Sequence, residues 1–392
     1  MNVLTNGSPL QERKPLVFII QAGFSGCAYW RYATPIRKLR KLGSPLDYVL
    51  YTDYNIDLSN QIMQNADLIV MQAPGSHEHT RVMQEMQKRG IPVYVDYDDI
   101  SFELSPCNPK YRDLGLKETE EWKTGRDLFY PEWNKMKYDG FLGSIQNCDG
   151  FTTTTPFIAQ VYKDMGVKNI HILPNSVDFD YYKFLPRPEL GNEVSIGWFG
   201  GDSHRDDLDF VKDVLKEICL KYPQVRLVIK MPANWVDLFK DVPIHQKEFH
   251  LWSELENHPL ALSCKFWDIG IAPLTDTKFN RCKSNIKWQE YSAVKVPSVC
   301  SNLEPYQNIK DGVTGFLATS EKEWFEKLCI LVENKDLRKT MAQEAWLDCY
   351  KLWNLDTNCR IWEKTYLEAI NNAINTRTSL HGNRGPVTSR SG

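Results

Sequence analysis

A chain of 392 residues is longer than one hydrophobic core usually organises, so its length predicts two domains of roughly 200 residues or fewer each. Its 42% hydrophobic and 25% charged residues are ordinary for a folded protein, and the formal net charge of -3 disfavours a protein that coats nucleic acid through backbone phosphates. The apolar stretches are too short to span a bilayer, and no secretory-type apolar core stands at the N-terminus. We therefore expect a cytoplasmic protein, or one of the host cytoplasm if it is viral.

Short runs rich in Val and Ile alternate with longer amphipathic segments in the first half of the chain. This rhythm is typical of strands buried in a parallel sheet and covered by crossover helices. The predicted strands cover 16–21, 48–51, 68–72, 93–96 and 150–154. The stretch 106–147 interrupts the rhythm with prolines, charges and aromatic residues, so we interpret it as an insertion of loop and helix beside the sheet.

The rhythm restarts after a proline-bearing segment, 174–193, which is the predicted interdomain linker. Predicted strands follow at 194–199, 225–230, 244–248, 267–272 and 296–300, and beyond Gly315 the pattern is almost wholly helical. The sequence thus predicts an α/β protein in which two Rossmann-like domains face an interdomain cleft. Their bounds are 1–173 and 194–356, followed by a helix at 357–376 that packs back across the domains and a disordered tail at 377–392.

A glycine pair directly follows the predicted strand 194–199. Gly200 and Gly201 let the backbone approach an anion closely, and the helix predicted from about residue 206 offers N–H groups with a favourable dipole. Open parallel sheets bind their ligands at this end of the strands. A plain tight turn, with Ser203 as the helix cap, explains the same residues equally well.

A second polar segment follows the predicted strand 267–272. Lys283, Lys287 and Glu290 are spaced by four and three residues, which places them on one face of a helix predicted to begin near residue 283. Lysines at a helix start oppose its dipole, a local cost that an anionic diphosphate between them would offset. The Glu290 carboxylate could accept hydrogen bonds from ribose hydroxyls. The alternative is an ordinary ion pair between Lys287 and Glu290 on a solvated face.

Four segments of the second half carry a resemblance to a known family. IGWFGGDSH (196–204), FWDIGIAPL (266–274), KSNIKWQEY (283–291) and DGVTGFLA (311–318) resemble consecutive motifs of the family-four nucleotide-sugar glycosyltransferases, in the same order. In the first half, GCAYWRYATP (26–35) and VYVDYDDI (93–100) look like a phage and bacterial branch of these enzymes, and LPNSVD (173–178) resembles the family's entry to its linker.

This resemblance implies the GT-B architecture, with an N-terminal acceptor domain and a C-terminal nucleotide-sugar domain. It implies transfer of a hexosyl or pentosyl group from a nucleoside diphosphate sugar, most simply a UDP-sugar, to an acceptor hydroxyl with retention of anomeric configuration. The donor contacts that it implies are Gly26, Gly200, Gly201, Lys283, Lys287 and, on the ribose, Glu290. The implied catalytic contact is His204. The implied acceptor or cleft contacts are Arg31, Asn175 and Asp178. The family usually has two Glu separated by seven residues, and Cys282 stands at the first of these positions, so we expect Asp276 to substitute there.

An acidic run follows the predicted strand 93–96. A D-x-D in such a place holds Mg²⁺ or Mn²⁺ on nucleotide-sugars in the other main glycosyltransferase fold, so Asp96 and Asp98 are the ligands if the protein uses a metal. In GT-B enzymes lysines, arginines and helix dipoles generally neutralise the diphosphate, so we expect no required metal or other cofactor. Asp98 or Asp99 would then contact the acceptor or act as a catalytic base.

The acceptor is expected to be a glycan or, second, a hydroxymethylated pyrimidine in phage-type DNA. Basic residues between 31 and 41 could guide DNA, but a solvated helix face explains them too, and the acidic run 96–99 opposes DNA. Two rival functions share these motifs. A nucleotide-sugar epimerase would need no separate acceptor, and a non-catalytic sugar- or nucleotide-binding protein is kept open by Cys282.

Overall fold

Two parallel sheets form the framework of the molecule. The computed structural model describes residues 13–23, 26–52, 60–100, 102–182, 192–250 and 267–382. Within these residues, twelve strands form two six-stranded sheets, with the orders β2-β1-β3-β4-β5-β6 and β12-β11-β10-β7-β8-β9. Every described strand pair is parallel. The predicted α/β architecture of two Rossmann-like domains is confirmed.

The strands occupy nearly the ranges that the sequence predicts. The first sheet contains β1 (Leu16–Ile20), β2 (Asp47–Tyr51), β3 (Leu68–Gln72), β4 (Val93–Asp96), β5 (Gly150–Thr153) and β6 (Ile170–Ile172). The second contains β7 (Val194–Phe199), β8 (Val225–Lys230), β9 (Lys247–His250), β10 (Ile269–Ala272), β11 (Ser298–Ser301) and β12 (Phe316–Ala318).

Two short strands are absent from the prediction, and three strands, β9, β10 and β11, begin two or three residues later than predicted. β6 and β12 have three residues each, too few for a clear periodic signal, and β12 is a strand within the stretch predicted to be almost wholly helical beyond Gly315. β9 begins at Lys247 because the preceding residues Ile244–Gln246 form a 3-10 turn.

The helices lie on both faces of the sheets. Those of the first half are Gly26–Ala28, Thr34–Lys41, Gln61–Gln64, His77–Lys88, Tyr111–Leu114, Pro131–Asn147 and Pro156–Asp164, with a π-helical turn at Tyr29–Ala33. Those of the second half are Arg205–Lys221, Lys278–Arg281, Ile286–Ala293, Glu321–Glu333, Lys335–Leu352 and Leu355–Gly382, with 3-10 turns at Asp202–His204, Ala233–Phe239 and Glu304–Tyr306. Among the described helices, none combines the length and apolar character needed to cross a membrane.

β1 shows how the first sheet separates two cores. Phe18 and Ile20 pack into the core on one face, while Val17 and Ile19 pack into the core on the other. Successive side chains of a strand point to opposite faces, so a continuous apolar run is required where both faces are covered. This requirement explains why the strands are readable from the sequence.

The last helix returns to the first domain. It runs over Leu355–Gly382, and its Trp362 is fully buried in the core that contains Val17, with Nε1 donating to the Arg31 carbonyl at 3.1 Å. The helix is longer than the predicted 357–376, because its pattern continues without a proline as far as Gly382. Residues 377–382, predicted as disordered tail, are therefore helical, and 383–392 lie outside the described residues.

The two domains also meet between the sheets. Phe279 and Cys282 of the second half are buried in the core of the first domain. Ser105 donates a hydrogen bond to Asp206 at 2.7 Å, and Lys278 pairs with Glu103 at 2.9 Å. These contacts hold segments that follow β4 against segments that follow β7 and β10.

Candidate functional site

The glycine pair lies at the carboxyl end of β7, where the sequence predicts it. Gly200 has no room for a side chain, since a Cβ would stand 2.5 Å from the ring of Trp198, whereas a Cβ on Gly201 would meet nothing within 4 Å. Gly201 therefore presents open space above the turn, and a 3-10 turn at Asp202–His204 leads into the helix Arg205–Lys221. Ser203 makes no capping hydrogen bond, because the helix begins after His204.

His204 is held by a carboxylate that the sequence analysis did not single out. Its Nδ1 lies 2.8 Å from Oδ2 of Asp207, whose side chain is only 2% exposed. The other Asp207 oxygen accepts from the backbone N–H of Thr275 at 2.8 Å and from Asn280 at 2.7 Å. Asp207 thus ties the loop after β7 to the loop after β10. One Asp among several at a helix start gives no local signal of this role, which depends on residues about 70 positions away.

Two lysines add positive charge beside His204. Lys287 donates to the Phe199 carbonyl at 2.9 Å, and Lys283 stands over the Phe279 ring at 4.2 Å. Burial, followed by the charges of Lys287 and Lys283, lowers the pKa of His204 to about 3. Burial also lowers the pKa of Lys287 to about 8, and Lys283 contributes to that decrease. The two lysines are partly buried, and their positive charge beside a largely buried, neutral histidine favours an anionic ligand.

The helix prediction for this segment needs one correction. The helix begins at Ile286, so Lys283 does not share a helix face with Lys287 and Glu290 but lies in the preceding turn. A separate short helix, Lys278–Arg281, is capped by Cys282, and the longer helix begins four residues after that cap. Lys283 still lies near Lys287, since its charge affects the Lys287 pKa.

Glu290 is buried one turn along the same helix and is 1% exposed. Its Oε1 accepts a hydrogen bond from the Tyr182 hydroxyl at 2.9 Å. The Tyr182 ring in turn lies 6.1 Å from the ring of Trp30, which comes from the π-helical turn of the first domain. The side chain is thus a buried acceptor beside the lysines, at the place where the chain crosses between domains.

Arg31 and Asp96 contact each other inside the first domain. Arg31 Nη2 and Nε donate to the two Asp96 carboxylate oxygens at 2.6 and 3.1 Å, and Thr152 donates to Asp96 Oδ1 at 2.5 Å. Arg31 also donates to the Leu173 carbonyl and, at 3.2 Å, to Asn175. Asp96 thus has a buried guanidinium as its partner, and Arg31 is 0% exposed.

Asn175 links this pair to the second domain. Its Nδ2 donates to the Ser284 hydroxyl at 3.0 Å, and its carbonyl accepts from Gln289 at 2.9 Å. Two consecutive hydrogen bonds, through Asn175, therefore connect the side chain of Arg31 to Ser284, in the segment that carries Lys283 and Lys287.

Asp178 lies in a different cluster, between the helix Thr34–Lys41 and the last helix. Lys38 Nζ is 2.8 Å from Asp178, 3.0 Å from Asp180 and 2.6 Å from Asp356. Among the described residues these three aspartates are the acidic group with geometry suited to a metal ion. The Lys38 ammonium lies among them, so the protein supplies its own cation there.

Asp98 lies beside Cys27 and shares a hydrogen bond with it. This contact joins the loop after β4 to the start of the first helix. Burial and the neighbouring Asp99 raise the pKa of Asp98 to about 6, while a hydrogen bond with Cys27 opposes this increase. A carboxylate with such a pKa is suited to accept a proton near neutral pH. Gly26 precedes Cys27 and begins that helix at the carboxyl end of β1.

Cys282 and Asp276 lie apart. Cys282 is fully buried against the first domain, and burial raises the pKa of its thiol to about 12. Asp99 contributes to that increase, so it lies near the thiol. Asp276 lies at the surface, where both of its oxygens accept from Arg281 at 2.6 and 2.7 Å. A role for Asp276 in sugar binding stays a prediction that requires Arg281 to be displaced.

Several solved structures resemble the overall fold of this chain. No protein-family model and no curated protein matches the sequence. HepE of Anabaena, solved with UDP and glucose, matches with a TM-score of 0.63 and 14% identity over 90% of this chain and 100% of HepE. Sucrose-phosphate synthase of Thermosynechococcus elongatus matches with 0.63 and 14% over 92% and 100%. TarM of S. aureus matches with 0.57 and 14% over 79% of this chain, which spans 55% of TarM.

The matches to HepE and sucrose-phosphate synthase extend over 90% and 92% of this chain, so they include both of its sheets. The fold is GT-B. In this GT-B protein, Gly200, His204 and Lys287 lie at the carboxyl edge of the second sheet, and Asp98 follows the carboxyl end of β4 in the first. The likeness, at 14% identity, establishes this architecture.

Proposed function

We propose that this protein is a glycosyltransferase that binds a nucleoside diphosphate sugar in its C-terminal domain. The observation that carries the proposal is the pair of partly buried lysines beside His204, at the carboxyl ends of β7 and β10. Burial, together with the charges of Lys287 and Lys283, lowers the pKa of His204, and Gly201 leaves open space at the start of the turn that contains His204. A diphosphate offsets the mutual repulsion of these groups, whereas a neutral ligand does not.

The same groups would act on the leaving diphosphate. When the bond from the anomeric carbon to the phosphate oxygen breaks, negative charge increases on the diphosphate. Lysine ammonium groups and backbone N–H groups that are already in place stabilise that charge without reorganisation. The resemblance to family-four enzymes supports retention of configuration, in which the leaving phosphate helps to deprotonate the acceptor from the same face.

Glu290 is the proposed ribose contact and UDP the proposed nucleotide. The Glu290 carboxylate is buried near Lys287 and held by Tyr182, so its acceptor oxygens have a fixed position. HepE has been solved with UDP and with UDP-glucose, which supports testing uridine nucleotides first. Asp98 is the proposed base or acceptor contact on the opposite domain.

A glycan is the proposed acceptor, and DNA is ranked second. The basic residues expected to guide DNA make contacts within the protein: Arg31 with Asp96, Lys38 with the three aspartates, and Lys41 with Asp180 at 2.7 Å. Charges that are already paired attract a phosphate backbone less than free ones. These pairs support a protein without a strongly cationic DNA groove in this segment.

A thermal-shift panel of UDP-, GDP- and ADP-sugars tests the donor site. A ligand that binds only the folded state raises the Tm, so one of these sugars should raise the Tm of the wild type. Glu290→Ala should lose the shift, whereas Glu326→Ala, on an exposed helix face, should keep it. Release of nucleotide on addition of an acceptor then distinguishes a transferase from a binding protein, and interconversion of the free nucleotide-sugar would reveal an epimerase. No shift with any nucleotide-sugar would contradict the proposal.

A further inference from the structure

His204 and Asp207 form a pair whose geometry restricts where protons can sit. His204 closes the turn that follows the glycine pair, and Asp207 lies one helical turn later. Their side chains are 14% and 2% exposed, and Nδ1 and Oδ2 are 2.8 Å apart. Both groups are thus nearly removed from water.

Asp207 is fixed as a charged acceptor. Its Oδ1 accepts from the backbone N–H of Thr275 at 2.8 Å, from the Thr275 hydroxyl at 3.1 Å and from Asn280 at 2.7 Å. Burial raises the pKa of Asp207, but the contact with His204, the hydrogen bond from the Thr275 N–H and the charge of Lys283 outweigh burial, so the net shift lowers that pKa. An ionised carboxylate has no proton to donate. Nδ1 of His204 must therefore carry the proton of their hydrogen bond.

Nε2 of His204 belongs to the ring edge that lies beside the glycine turn. The adjacent ring carbon Cδ2 lies 3.2 Å from the place where a Gly200 Cβ would stand. Within the described part of the chain, Nε2 has no hydrogen-bonding partner. In a neutral ring with Nδ1 protonated, Nε2 is an acceptor, and phosphate oxygens are acceptors too. Contact between them requires a second proton on the ring.

We propose that Nε2 of His204 takes up one proton from solvent when a nucleoside diphosphate sugar binds, and then donates a hydrogen bond to the diphosphate. This inference rests on the proposed function and adds the protonation state of the site. The groups that face the ring are Asp207 on its own helix, Lys283 in the preceding turn and Lys287 on the helix Ile286–Ala293. Before binding, burial and the two lysines keep the ring neutral. The negative diphosphate reverses the effect of the lysines, so the imidazolium becomes stable between the phosphate and Asp207.

Isothermal titration with UDP-glucose tests this inference on the full chain. At pH 6.5, in three non-phosphate buffers of different ionisation enthalpy, the dependence of heat on buffer gives the number of protons taken up. A nucleotide-sugar is the right probe because its phosphates do not titrate near neutral pH, unlike the terminal phosphate of UDP. We expect an uptake of about one proton per UDP-glucose for the wild type, and an affinity that falls about tenfold per pH unit where that proton is taken up.

Two variants and a matched control locate the proton. His204→Gln should bind UDP-glucose with almost no proton uptake, whereas His245→Gln, at an exposed histidine of the same domain, should behave as the wild type. Asp207→Asn should also bind without uptake. Its amide oxygen can keep the Thr275 and Asn280 contacts while its NH₂ donates to Nδ1, which places the single ring proton on Nε2.

The outcomes separate this inference from the proposed function. Binding by the wild type without proton uptake, or the same uptake in His204→Gln, would overturn the inference and leave the donor site intact. Failure of the wild type to bind any nucleoside diphosphate sugar would overturn both. If the heats are small, ¹⁵N NMR of the histidine ring gives the same answer, since the Nε2 signal should change to that of a protonated nitrogen on addition of UDP-glucose.

Discussion

Arg31 and Asp96 form an ion pair with Nη2 2.6 Å from Oδ1 and with both side chains 0% exposed. The nearby Asp96 charge outweighs burial of the guanidinium, so the net effect raises the pKa of Arg31. Arg31 also reaches Asn175, which contacts the segment of the second domain that carries the lysines. The pair is thus part of the joint between the domains.

Replacing Arg31 by Met should destabilise the protein strongly. The substitution leaves the Asp96 carboxylate buried without its cation, and breaking a buried pair in this way costs about 3–5 kcal/mol. Urea unfolding measures the loss. Arg37→Met is the matched control, because Arg37 is half-exposed and its pair with Asp178 should contribute less than about 1 kcal/mol. Equal effects of the two substitutions would contradict a structural role for Arg31.

Substitutions at the glycine pair should separate a phosphate site from a plain turn. Gly200→Ala should lower the Tm, because its Cβ would clash with the Trp198 ring. Gly201→Ala should leave the Tm unchanged, since its Cβ would enter open space and the residue has a φ of -87°. Its methyl group should nevertheless weaken binding of the nucleotide-sugar by about tenfold, or about 1.4 kcal/mol, if the diphosphate occupies that space. Unchanged affinity in Gly201→Ala would favour the plain turn.

Lys287 should make nucleotide-sugar binding weaker at high pH. Burial lowers its pKa to about 8 in the free protein, and a bound diphosphate raises that pKa by stabilising the charged form. Above pH 8 the free lysine is mostly neutral, so binding must add a proton and the affinity falls as the pH rises. Lys287→Arg, which keeps its charge throughout, lacks this effect.

Binding titrations of the wild type and of Lys287→Arg with the nucleotide-sugar, between pH 7 and 10, check this expectation through the ratio of the two affinities. The affinity of the wild type relative to Lys287→Arg should fall about tenfold per pH unit above pH 8. A ratio that stays constant over this range would show that Lys287 does not meet the anion.

Removal of divalent metal should leave nucleotide-sugar binding unchanged. Both Asp96 oxygens accept hydrogen bonds, from Arg31 and Thr152, so Asp96 is poorly placed to bind Mg²⁺ together with Asp98. The Tm shift caused by the nucleotide-sugar should be the same in EDTA and in MgCl₂. A shift that EDTA abolishes and Mn²⁺ or Mg²⁺ restores would support the D-x-D metal hypothesis instead.

The sequence by itself determined the fold class, because the residue pattern of each strand and helix is local and can be recognised without knowing its neighbours in space. A strand buried on both faces is mostly apolar, so Leu16–Ile20 is visible as a continuous apolar run and Val194–Phe199 as a run interrupted by Ser195 and Gly197. The glycine pair and Lys287 are likewise readable, since they follow strands where ligands bind in open sheets.

Only the tertiary structure decided which side chains meet across the fold. Arg31 and Asp96 are 65 positions apart, and Asp207 contacts Asn280 across 73, so no spacing in the sequence reveals either contact. The burial of Cys282 against the other domain likewise depends on residues that are distant in the sequence. Hydrogen bonds and charges act over a few ångströms in space, whatever the separation along the chain, and the pKa shifts of His204 and Asp98 follow from burial and from such contacts.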